Sequence, residues 1–264
     1  SNEKEADAIG IKLMSQSGYD TDGMPNFFNR MYKANRYSDP KMVPEYLRTH
    51  PLTINRISEA ASRAKDLQPT KKKLTSLNYH LMLARLRAIT SKNPAETLEF
   101  FNDNVEQMEG NKKLSAQYGR VITQRRLNKF EDARNGIGKL ISTNPNLIPL
   151  YIEASDIDRD EGNFLRSLET INIAYAKEPD NLAVAYSLIE SLMILKLPLE
   201  AKKIIRQFEI DSRRGPKFHK TLADIEFSLG QPELSNISMA EYFFELGDLP
   251  GAITQLRIAT GSGK

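Results

Sequence analysis

The segment "NKFEDARNGI" at 128–137 recurs as "GNFLRSLETI" at 162–171 and again as "KLPLEAKKII" at 196–205. The small residues Ala133, Ser167 and Ala201 stand 34 residues apart, and so do the bulky Ile137, Ile171 and Ile205. Phe130 and Phe164 keep the same interval, as do Pro145 and Pro179. Each position has a physical task. The small residue lets the second helix of a hairpin approach the first, the isoleucine one turn later fills the groove, and the proline stops the chain before the next hairpin. A lone hairpin cannot bury its apolar face, so such units must stack on one another.

A period of 34 with small, bulky and proline residues at these offsets is the tetratricopeptide pattern, which predicts an α-solenoid. Toward the N-terminus, "LNYHLMLARLRAIT" followed by "NPAETLEFFNDNVEQM" reads as a degenerate first hairpin. Toward the C-terminus, Gly230 and Gly247 lie only half a repeat apart. One helix, about 232–246, is therefore expected to serve two hairpins at once, before a last helix and the polar tail "TGSGK". Ahead of the array the period is again 3.6. "EADAIGIKLMSQSG" predicts a helix with Ala6, Ile9, Leu13 and Met14 on its packed stripe, ended by Gly18. Phe27, Phe28, Met31 and Tyr32 mark a second helix. Thr53 caps a third, with Ile54, Ile57, Ala61 and Ala64 along its face. No alternating strand is found, and the expected class is all-α. Phe100, Phe101, Phe243 and Phe244 follow helical spacing too, and with Phe27, Phe28 and Tyr32 they are expected in the core.

Composition narrows the function. At 264 residues, 40% hydrophobic and 27% charged, the chain is built to fold rather than to stay disordered. Its 37 basic and 34 acidic residues are mixed throughout, so nucleic acid is not an expected partner. Lys71–Lys73, Arg125–Arg126 and Arg213–Arg214 are short clusters without a nucleic-acid module around them. Without cysteine there is no disulfide, zinc finger or thiol nucleophile. The most apolar run, "AVAYSLIESLMILKLPL", is broken by Glu190, Lys196 and Pro198, so no transmembrane segment is expected.

The opening residues carry the chemistry. "NEKEADAIGI", "SGYD", "FFNRM", "YLRTHP" and "NRI" occur in an order that resembles the M48 family of zinc metallopeptidases, over about Glu3–Leu67. With the array behind it, the arrangement is similar to the periplasmic M48 peptidases that carry a C-terminal repeat domain. The resemblance implies that residues 1–68 are the last helices of a peptidase domain and 69–264 the repeat domain. In that family an H-E-x-x-H helix gives two histidine zinc ligands and the general base, and the glutamate of E-x-x-A-D gives the third ligand. Here that glutamate is Glu3, and Asp7 one turn later would hold a ligand histidine. Zinc with three protein ligands keeps a fourth position for the attacking water. His50 and Arg56, from "THPLTINR", would stand close to the active site, the histidine near the metal and the arginine beside a developing oxyanion.

The departure from the family is plain. The only histidines are His50, His80 and His219, and no H-E-x-x-H is present. On the family reading those residues lie upstream in a longer parent, and the chain alone should neither hold catalytic zinc nor cut peptides. The chain opens inside an apparent helix, which fits a piece of a longer protein, and the parent can also continue beyond Lys264. The resemblance also implies protein partners for the array, among them outer-membrane assembly machinery, and a periplasmic role in quality control with chaperoning. Two alternatives stand beside this. Arg56 could simply pair with Glu59 or Asp7, and the whole chain could be a tetratricopeptide adaptor with no enzymatic history. His80 and His219 read as ordinary helix residues.

Overall fold

The computed structural model describes residues 2–36, 53–69, 76–209 and 215–261. They form helices and turns only, in two compact units, Ser1–Ser76 and Leu77–Lys264. The all-α reading holds.

The first unit contains α1 (Asn2–Gln16), α2 (Gly23–Arg36) and α3 (Ile54–Asp66). Gly18 ends α1 at φ +76, where a side chain would be strained. The Gly18 N–H donates to Ser15 O and the Tyr19 N–H to Met14 O, the two bonds of a Schellman stop. Thr53 caps α3 by accepting from the Arg56 N–H at 3.3 Å. Thr21 is fully buried and donates to Ala64 O at 2.9 Å, which ties the α1–α2 turn to α3. Among the described residues, Ile11, Phe28 and Ala60 form its core.

The packed faces agree with the expected ones in part: Ala64 is fully buried and Ile57 packs on the core, as expected. Ile9 and Leu13 are exposed while Ile11 is buried, and Ile54 is exposed while Arg56 and Ala60 are buried. The reason is chemical. The face of α1 that meets α3 carries Glu3, Asp7 and Ile11, and the matching face of α3 carries Arg56 and Ala60. Hydrophobic periodicity cannot find a face whose packing includes paired charges. The aromatic doublets also split. Phe28 and Phe101 are buried, whereas Phe27, Phe100 and Phe244 are exposed, because neighbours on a helix point about 100° apart and only one can face the core.

The second unit is an array of paired helices: α4 (Leu77–Thr90) with α5 (Pro94–Gln107), α6 (Gly110–Arg126) with α7 (Phe130–Thr143), and α8 (Ile148–Asp160) with α9 (Phe164–Lys177). It continues with α10 (Leu182–Ile194) and α11 (Pro198–Arg206), then α12 (Gly215–Ser228), α13 (Pro232–Glu245) and α14 (Leu249–Ala259). Ala133, Ser167 and Ala201 are fully buried at the crossings, and Ile137, Ile171 and Ile205 fill the grooves beside them. The turns share the register. Asn128, Gly162, Lys196 and Gly230 all take positive φ between +57 and +90, each ending the first helix of a pair. As expected, α13 packs on both α12 and α14.

The first pair is irregular. Phe101 lies over Gly119, where a Cβ would come within 2.3 Å of its ring, so α5 is keyed to α6. Leu81, Ala84 and Ala88 key α4 to α6 as well. The Arg126 guanidinium reinforces this by donating to Ala88 O and Ser91 O at the end of α4. Both helices lean on α6 and hardly touch each other.

Charges are also buried in the array. Glu153 on α8 is fully buried and accepts from Arg85 at 2.9 Å and Arg125 at 2.7 Å. Asp156, one turn on, lies 3.9 Å from each of these arginines and bonds Arg159. Burial and the neighbouring Glu153 charge push Asp156 up to about 6, against the pull of the arginines. The folded chain thus holds this proton more tightly than the unfolded chain. The stabilisation it gives is whole below about pH 4 and is lost as pH rises through 6. Lowering the pH from 7 to 5 should therefore stabilise the wild type by about 1 kcal/mol relative to Asp156→Asn. Thermal melts of both proteins at the two pH values check this, and parallel behaviour would remove the assignment.

Candidate functional site

The acid pair of α1 and the arginine of α3 come together. Arg56 Nε and Nη2 donate to the two oxygens of Asp7 at 2.9 and 3.0 Å, and Nη1 donates to Glu3 Oε2 at 3.1 Å. Spacing explains it: Glu3 and Asp7 are one turn apart on α1, so one guanidinium fork spans both. The arginine side chain is 9% exposed, Asp7 14% and Glu3 28%, so the cluster is drier than a surface pair. The guanidinium carbon also lies 5.6 Å from the centre of the Phe28 ring. On the rim, Lys4 and Glu59 pair at 2.5 Å in the open, a contact worth little.

Arg56 therefore meets Asp7, one of the two partners weighed from sequence, and Glu3, which that reading did not offer; Glu59 is taken by Lys4. His50 lies outside the described residues. His80 sits half-buried on α4. His219 is buried on α12, with Nε2 3.2 Å from Glu245 Oε1 and its ring edge-on to Phe218. Arg125 and Arg126 are engaged inside the fold by Glu153, Asp160 and two carbonyls. Lys71–Lys73 and Arg213–Arg214 lie outside the described residues.

The donor set does not fit a zinc site on its own. Among the described residues no three His, Cys, Asp or Glu side chains gather where a metal could sit. Glu3 and Asp7 face a cation already, the Arg56 guanidinium. What the cluster does chemically is fix two carboxylates in place with one rigid fork.

Residues 1–64 match the model of peptidase family M48. The match takes in about a quarter of the chain, all of it within the first unit. Over the full chain, the sequence is 27% identical to the β-barrel assembly-enhancing protease of Yersinia pestis, and 26% identical to that of Escherichia coli K12. Each alignment takes in all of this chain and 54% or 53% of the relative, so the chain spans about half the length of the curated relatives it matches. The fold of the array is similar to the crystal structure of a thermophilic TPR protein from Thermus thermophilus. That likeness has a TM-score of 0.52 and 16% identity, over 70% of this chain and 99% of that one. The second unit is a TPR-like solenoid. Among the described residues no helix is long and apolar enough to cross a membrane.

Proposed function

We propose that this chain is the C-terminal part of a zinc-dependent metalloendopeptidase whose repeat array binds protein substrates or partners. The observation that carries this reading is the order of the two parts: sequence that matches M48 at 1–64 is followed from Leu77 by a TPR-like array, and protease relatives align through both. Glu3 serves as the zinc ligand of E-x-x-A-D, and Asp7 orients one of the ligand histidines, both of which belong to an H-E-x-x-H segment outside this chain. His50 stands near that centre. Arg56 holds Glu3 and Asp7 at their proper separation, which makes it a positioning residue. The relatives' name points to the assembly of β-barrel proteins, so the substrate class is outer-membrane protein and the compartment the periplasm. The chain by itself is inactive, because it lacks the base and two ligands.

Joining the chain to the H-E-x-x-H segment of its parent should give a protein that binds one zinc and cleaves an unfolded substrate. Glu3→Gln in that protein should lower zinc occupancy at least tenfold and abolish cleavage, with α1 still helical by circular dichroism. Full zinc content and full cleavage in the variant would overturn the ligand assignment. If the parent gene has no H-E-x-x-H, the adaptor reading takes its place.

A further inference from the structure

Because α4 and α5 each lean on α6, a cleft of about 300 Å³ stays open between them, wholly inside the second unit. Its walls are Leu83 on α4, Phe100 and Phe101 on α5, and Met108 just before α6. Leu83 and Phe100 are exposed although large and apolar, so water covers a surface that gains by burial. The charges along it are one-sided. Arg87 and Lys112 border the cleft, and no carboxylate lines this inner part. The Arg87 guanidinium lies 3.8 Å from the centre of the Phe100 ring, an exposed cation laid on an aromatic face. A shallower extension runs past Leu86 to Glu96, the acid at its outer end.

We propose that this cleft docks a segment of a partner protein that offers two large apolar side chains and a carboxylate. The apolar side chains fill the space between Leu83 and Phe100, and the carboxylate is received by Arg87 and Lys112. Charge complementarity picks the occupant. A basic segment would set like charges together at the inner end, while an uncharged one would leave two cations beside newly dry surface. The volume is at the lower end for ligand clefts, which suits a few side chains better than the full face of a long helix. Lys112 lines only the inner part and Glu96 only the outer extension, with Arg87 on both, and this sets the direction, the acidic end of the segment inward. This rests on the reading of the array as a protein-binding unit and says where, and for what chemistry, it binds.

The test uses the full chain and three fluorescein-labelled peptides in which Leu and Phe alternate with Glu, with Lys or with Gln. Fluorescence anisotropy at low salt should show the Glu peptide binding at least tenfold more tightly than the Lys peptide, an advantage that shrinks as salt rises. Arg87→Glu combined with Lys112→Glu should abolish or reverse the preference. Both residues are exposed, so circular dichroism should be unchanged. Leu83→Asp should weaken the Glu peptide as well. Equal binding of Glu and Lys peptides, or no binding of the Glu peptide, overturns the proposal. A preference that survives the double charge reversal also overturns it, while leaving the array as a protein-binding unit that docks its partners elsewhere.

Discussion

Replacing Glu153 by alanine should destabilise the repeat unit by about 3–5 kcal/mol, the cost of leaving buried charges without their partner. Glu153 is fully buried and joins three helices, since it sits on α8 and holds Arg85 of α4 and Arg125 of α6. Arg125 keeps Asp160, but Arg85 is left with the Tyr118 hydroxyl at 3.3 Å and a distant Asp156. In a stacked array each pair of helices is held mainly by its neighbours, so the damage should be local. Hydrogen exchange should report lost protection in α4 and α6, and little change in α12 to α14. The thermal midpoint should fall by roughly 10 °C. Asp156 sets the limit on this loss. With Glu153 gone its like-charge neighbour disappears, its carboxyl ionises more readily, and it can move toward the stranded arginines. A loss below about 1 kcal/mol would mean that this substitution of one carboxylate for another is complete, and that the network is redundant. Changing Glu153, Arg85 and Arg125 to leucine together should recover most of the loss, because the desolvation cost vanishes with the charges.

The same cluster shows where sequence reading stops. The array is legible because its determinants are local and repeated: a small residue, an isoleucine and a proline at one interval require no knowledge of partners. The left-handed turn shares that interval, yet only Gly162 and Gly230 announce it. Asn128 is a weaker signal, since asparagine also tolerates this conformation, and Lys196 adopts it without a residue type that would reveal it. Glu153 is 68 residues from Arg85 and 28 from Arg125, and on a helical wheel it looks like any solvated acid. In the first unit the acid pair stands out through its family pattern, and Asp7 is a candidate partner for Arg56 from sequence alone. Apolar periodicity nevertheless misplaces Ile9, Leu13 and Ile54 while placing Ala64 correctly, since the charges share the buried side. The open cleft beside α4 is hidden for a related reason. Leu83 and Phe100 look like core residues until Gly119 is seen to draw Phe101, and α5 with it, toward α6.

Removing the side chain of Arg56 should have the second large effect, a loss of about 3 kcal/mol from the first unit. Three of its N–H groups are bonded to Asp7 and Glu3, so Arg56→Ala takes away the guanidinium that spans two half-dry carboxylates one turn apart. Among the described residues the core of this unit is Ile11, Phe28 and Ala60 with Met24, Ile57 and Leu67 beside them, which offers little to offset that loss. Arg56→Lys should recover only a small part, since an ammonium cannot grip both oxygens of Asp7 and reach Glu3 as a planar fork does. A double-mutant cycle of Arg56→Ala with Asp7→Asn, read by thermal unfolding and by proteolysis within α1, should give a coupling of about 1.5–3 kcal/mol. A coupling near zero would mean that the clamp contributes shape and no energy. Joined to the H-E-x-x-H segment, the same variants separate fold from function. If Arg56 positions Glu3 and Asp7 for the metal, Arg56→Lys should weaken zinc binding about 10- to 100-fold even at a temperature where the unit remains folded. If it serves the fold alone, zinc affinity will follow the folded fraction and nothing more.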